Sequence, residues 1–154
     1  MMSLRRLAYL LLILCFSISV IGIVHANAGS FNLAPGNQTV CQIAVSSGDR
    51  VQVTFTAVGD DSNSLLFWIV FPNSTVTNLG NVDQYSASFR SNVGGTCELY
   101  FNNTSSSETI FVALNYEVDH YIFGIPEMIF VLVVIAVLLM AFVSAYIIMS
   151  KYNS

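Results

Sequence analysis

Positive charge is nearly absent from this chain, with five Lys and Arg against nine Asp and Glu in 154 residues. The cations are Arg5, Arg6, Arg50, Arg90 and Lys151, and every acid lies between Asp49 and Glu127, so the middle segment sets two cations against nine acids for a formal charge of −7. Such a body repels phosphate backbones and has no basic stripe with which to release counterions, which excludes nucleic acid as a partner. Histidine is scarce too. Of the two present, His25 sits at the end of an N-terminal apolar run and His120 close to a second one, so no Ser-His or Cys-His pair has a base within the body between them. The expectation is a non-enzyme with no catalytic residue and no cofactor, leaving open only a carboxylate pair, whose separation in space sequence does not fix.

Cysteine is limited to three. Cys15 belongs to the N-terminal apolar run, which leaves Cys41 and Cys97 as an even pair in the polar region, and in an exported domain such a pair reads as a disulfide. A bridge there closes a loop of roughly 56 residues, worth about 4 kcal/mol in the chain-entropy description.

Long apolar runs are plentiful. The N-terminus carries Arg5 and Arg6, then an uncharged, mostly apolar stretch from Leu7 to Val24, then small residues at Ala26 and Ala28. That order is the pattern of a secretory signal peptide, taken here as residues 1–28, with an uncleaved anchor as the alternative. Residues 128–149 form 22 consecutive positions without a charge, about 33 Å as a helix, enough for the roughly 30 Å hydrocarbon core of a bilayer. Pro126 and Glu127 suit the start of that helix. Tyr121 and Phe123 before it, with Tyr146 and Tyr152 towards its end, fit the interfacial belts. Lys151 follows the span while Asp119 and Glu127 precede it, which places the tail 150–154 in the cytoplasm and the body outside or in a lumen. The lipid bilayer is therefore an expected partner.

Between the runs, residues 29–119 alternate with period two, broken by Gly, Pro, Asn and Ser clusters. Strands are predicted at Phe31 to Leu33, Thr39 to Val45, Val51 to Ala57, Leu65 to Phe71, Tyr85 to Phe89, Cys97 to Phe101 and Thr109 to Val118. Seven or eight strands at this spacing predict an all-β antiparallel sandwich, followed by a juxtamembrane linker at 120–127. Phe67, Trp68 and Phe71 lie in one continuous apolar run and read as core, with a recognition surface as the alternative.

Ser88-Phe89, then Gly95 to Asn103 with a serine run behind it, then Val112 to Val118, resemble the closing half of the GOLD (Golgi-dynamics) domain. Gly95, Leu99, Phe101, Asn103 and Tyr116 fill that pattern, and Gly48-Asp49 before the Val51 strand is similar to its opening half. The resemblance covers about residues 31 to 118 and implies a sandwich that binds other proteins. Membrane-anchored members resembling secretory cargo receptors share the order signal peptide, sandwich, single span and short tail. Tyr100 stands where those receptors have a cysteine, no helical neck fits between 119 and 126, and the tail lacks diaromatic and dilysine signals. Coat binding and coiled-coil pairing are thus not implied. The Gly124-Ile125-Pro126-Glu127 approach to the span also resembles anchors of archaeal envelope proteins.

Asn37, Asn73, Asn102 and Asn103 each open an Asn-x-Ser/Thr sequon and are candidate glycosylation sites, with ordinary turn chemistry as the alternative. Asp49, Asp60, Asp61 and Asp83 lack the recurrent spacing of a calcium loop, so no metal site is expected. His120 reads as an interfacial residue. Ala141 and Ala145, with Ser144, offer a small-residue face for a homo-oligomer, or else lipid-facing filler. The function expected is protein–protein interaction by the exported domain, as an adhesion, cargo or assembly module. The alternative is a structural envelope glycoprotein or an accessory subunit of a larger membrane complex.

Overall fold

The computed structural model describes residues 26–59, 64–104 and 106–152. The segment assigned to the signal peptide, except its last three residues, lies outside the described residues, as do Cys15, Asp60 and Asp61. Two units emerge, a β body ending at Gly124 and a helix beyond it.

The body is an antiparallel sandwich of two four-stranded sheets, as its alternation predicts. Its strands are β1 (Ala26–Leu33), β2 (Gln38–Val45), β3 (Arg50–Val58), β4 (Leu65–Val70), β5 (Val76–Val82), β6 (Gln84–Arg90), β7 (Gly95–Asn102) and β8 (Ile110–Asp119). One sheet runs β1-β8-β3-β6 and the other β2-β7-β4-β5. Short connections at 34–37 and at Asp83 place β1 with β2 on one flank and β5 with β6 on the other. In β3 the sequence writes the pattern most plainly, since Val51, Val53, Phe55 and Ala57 are buried while Gln52, Thr54 and Thr56 are exposed.

Aromatic rings fill the centre. Phe55, Phe67 and Phe101 pack with centroids 4.7, 5.0 and 5.1 Å apart, two of the three contacts edge-to-face. This geometry suits ring quadrupoles and adds about 0.5–1.5 kcal/mol per pair beyond area burial. Leu33, Ile43, Leu65, Ile69, Leu99, Ile110 and Val112 close the core around them.

β5 is the strand that the alternation of Val76–Val82 does not announce. Gly80 pairs with Phe67 and Asn78 with Trp68, so Leu79 is left over as a bulge. The φ of Gly80 is 72°, a left-handed conformation that glycine adopts without steric cost. At Gly95 a second demand joins the positive φ, here 149°: a Cβ there would lie 3.0 Å from Pro72 Cβ.

β9 (Tyr121–Ile122) and β10 (Ile125–Pro126) flank Phe123 and Gly124, whose φ values of 53° and 78° are those of a type I′ turn. The helix, α1 (Glu127–Tyr152), has 26 residues, about 39 Å in length. It is long and apolar enough to cross a membrane, and apolar residues cover its whole circumference with none buried.

Candidate functional site

β4 is apolar on both faces, and the sandwich has use for only one of them. Leu65, Phe67 and Ile69 enter the core, while Leu66, Trp68 and Val70 point to the outer face of the β2-β7-β4-β5 sheet. Of the three aromatics read as core, Phe67 is there. Trp68 instead stands outward, half-buried, and Phe71 packs edge-to-face on Phe89 at the strand's end.

Trp68 lies directly across from Tyr100 of β7, and their rings are stacked, 4.9 Å between centroids and 8° from parallel. The Tyr100 hydroxyl donates to Glu98 Oε2 at 2.8 Å, and Gln42 Nε2 donates to Glu98 Oε1 at 2.9 Å. The hydrogen bond to Glu98 holds the Tyr100 phenol above its ordinary pKa, since the donor is worth more to the carboxylate than a second anion. Further along the strands Asn102 Nδ2 donates to Gln38 Oε1, and Asn102 Oδ1 is buried without a partner among the described residues. Within the four strands of this sheet Glu98 is the single charged side chain. Sequence reasoning held a recognition surface at Trp68 only as the alternative to core, because a run apolar at every position does not say which residues are covered, and it gave no sign of Tyr100, Glu98 and Gln42 beside it.

The flank formed by β1 and β2 is a second feature. Both are eight-residue edge strands with no proline and no charge, and each pairs with its inner neighbour without a register shift. On the opposite flank β5 is bulged and β6 ends in Arg90. β1 begins at Ala26, inside the segment assigned to the signal peptide.

His120 is not free at the sandwich's end. Its Nδ1 is 2.8 Å from Oδ2 of Asp49, which also accepts the Ser46 N–H at 2.7 Å. Asp49 is 1% exposed and His120 53%. The hydroxyls of that corner are engaged elsewhere, Ser47 with Asn92 O and Ser91 with Val93 O. Arg90 lies over the Tyr121 ring, 4.6 Å from its centroid. Asp83 belongs to the opposite end of the sandwich from Asp49, and no group of three metal-binding side chains occurs among the described residues.

The disulfide expected between Cys41 and Cys97 is not formed, and both are free thiols. Their strands are neighbours, but the register sets Cys41 against Leu99 and Cys97 against Ile43. Such diagonal positions have Cα atoms roughly 7–8 Å apart, beyond the reach of an unstrained bridge. Burial, then the charge of Glu98, then Cys41 push the Cys97 thiol up to about 11.

The four sequon asparagines divide. Asn37 and Asn73 are exposed in turns, where Asn73 Oδ1 accepts the Thr75 N–H. Asn102 is half-buried on β7. Asn103 is fully buried, its Nδ2 donating to Leu33 O at 2.9 Å and Glu108 O at 2.8 Å, so it is a structural clasp between β1 and the segment leading to β8. In α1, Ala141 and Ala145 are exposed and Ser144 Oγ donates to Met140 O within the helix.

No family model matches the chain, and no curated protein matches it by sequence. Among solved structures it is similar to the Aeromonas hydrophila PliG, a periplasmic inhibitor of g-type lysozyme, at 13% identity and a TM-score of 0.45, covering 62% of this chain and 87% of that one. The Salmonella Typhimurium PliG gives 12% identity and a TM-score of 0.45 over 60% and 90% of the two chains. The Yersinia pseudotuberculosis-derived mitogen gives 12% identity and a TM-score of 0.43 over 68% and 95%.

Proposed function

We propose that this chain is a single-pass membrane protein whose exported sandwich binds another protein and performs no catalysis. α1 would be the anchor, the body would lie outside the cytoplasm or in a lumen, and Lys151 would mark the cytoplasmic side. The N-terminal order of Arg5-Arg6, apolar run and small residues supports the same orientation. Kinship with GOLD domains belongs to this reading. It is supported by the residues of the pattern, since Leu99 and Phe101 build the core, Asn103 clasps the strands and Gly95 allows the close approach of Pro72.

The observation that carries a protein partner is the β1/β2 flank. Natural sandwiches guard exposed edges with charge, proline or bulges, because a bare row of N–H and C=O groups accepts any passing strand. Among the described residues, the edge strands β1 and β2 carry none of these guards. Edges of that kind are where an added strand gains main-chain hydrogen bonds.

The test places a photo-crosslinking residue at Ser30 of β1 or Ala44 of β2 in the full-length protein, with Asn115 of the central strand β8 as the control, in native membranes. Protein adducts from the two edge positions and not from Asn115 support the reading. Equal labelling at all three, or none, overturns it. Gentle detergent extraction then separates a free module, which leaves as a monomer or small oligomer, from a subunit held in a large stable assembly.

A further inference from the structure

We propose that the outer face of the β2-β7-β4-β5 sheet is a binding site for a neutral oligosaccharide. The chemistry of the face selects the ligand. A pyranose ring presents a flat C–H surface and a rim of hydroxyls, each of which both donates and accepts. The flat surface needs an aromatic face, and the rim needs amides and carboxylates set beside it.

Both are present here. Tyr100 covers one side of the Trp68 ring, and on the neighbouring strand β5 Asn78 pairs in register with Trp68. Asn78 Oδ1 accepts the Gly80 N–H at 2.9 Å, which fixes that amide against the backbone of β5. Around the rings stand Gln42 with Glu98 towards one end and Gln38 with Asn102 towards the other. Gln38 and Gln42 are four residues apart on one strand, about 13 Å, the length of roughly two to three sugar rings.

Charge decides between classes of ligand. The four strands contain no Lys or Arg, and Glu98 is their single acid. Phosphates, uronates and sulfated chains find no counter-charge there and meet a carboxylate instead. A charged protein surface would find only Glu98, already engaged by Tyr100 and Gln42. A ligand that is neutral and rich in hydroxyls suits the polar groups of the face, while its C–H surfaces suit the rings and the aliphatic Val40, Leu66 and Val70 beside them. The inference is independent of the β1/β2 flank, and failure of the edge crosslinks leaves it standing.

Trp68 is the chain's one tryptophan, so its emission reports on this face alone. The experiment titrates full-length protein, held in a detergent without a sugar headgroup, with neutral tri- to hexasaccharides of glucose, mannose, galactose and N-acetylglucosamine. At least one series is expected to give a saturable change in emission. Calorimetry should then show binding weakened about tenfold or more in Tyr100→Ala and Glu98→Gln and abolished in Trp68→Ala, with a thermal midpoint close to that of the parent. Silence across the panel at millimolar sugar overturns the proposal. So does binding that ignores these substitutions, equal binding of a uronate chain, or an emission change produced only by a crosslinked protein partner.

Discussion

Asn103 does the work of a peptide group with its side chain. Its amide hydrogens go to two buried or half-buried carbonyls, Leu33 O and Glu108 O, and its Oδ1 accepts the Ser106 N–H. Asn103→Ala leaves those groups unpaired beside the core, and an expected loss of about 2–3 kcal/mol should be read by urea denaturation of the full chain. The atom a glycan would occupy is the one holding both carbonyls. Peptide mapping of the folded protein is therefore expected to find any sugar at Asn37 or Asn73 and none at Asn103. Cys97 yields a prediction in pH. Its folded value of about 11 lies above the ordinary 9.0, so between those values the unfolded chain has released a proton that the folded one keeps. Below pH 9 both states are neutral and the group contributes nothing to the pH dependence. From there to pH 11 stability falls by up to about 1.4 kcal/mol per unit. Denaturation at pH 8 and pH 10.5 should show this slope in the parent and a shallower one in Cys97→Ala.

At the level of elements, β5 shows where a sequence stops speaking for its structure. β3 is legible because one face is wet and the other dry, and α1 because 22 uncharged residues have few other uses. Val76–Val82 contains two asparagines and a glycine, which read as a loop, and the bulge at Leu79 erases the alternation that would have exposed the strand. The first half of β1 is hidden for a related reason, since Phe31 to Leu33 announce the strand while Ala26 to Ser30 are small or polar and give no period. Register is hidden altogether: nothing in the spacing of Cys41 and Cys97 says that Leu99, and not Cys97, stands opposite Cys41. The bulge also isolates a backbone effect. A Cβ at Gly80 meets nothing within 4 Å, so Gly80→Ala adds no clash and costs only the left-handed conformation, about 1 kcal/mol. Gly80→Asn, whose side chain tolerates that region, should cost less, and thermal unfolding of the two variants checks the order.

For the whole molecule, the sandwich and the helix place opposite demands on solvent. The sandwich keeps its rings and aliphatic residues in a closed core and needs nothing from α1 to bury them. α1 has no dry face of its own: Leu132, Val137, Leu138, Phe142 and Ile147 are among the residues it leaves uncovered, on every side. In water those side chains have no favourable state short of aggregation, whereas in hydrocarbon each is at home and the helix satisfies its own backbone. A charge at the middle of α1 should therefore disturb anchoring and leave the fold alone. Leu138→Arg carries an insertion penalty of about 2.5–3.5 kcal/mol on the biological scale. The expected result is a large fraction of the variant released by alkaline carbonate, with Trp68 emission and the urea midpoint of the sandwich unchanged. If the variant stays in the pellet like its parent, α1 is not held by lipid. If the sandwich unfolds with it, the two units are not independent, and the proposed reading of an anchored module loses its physical basis.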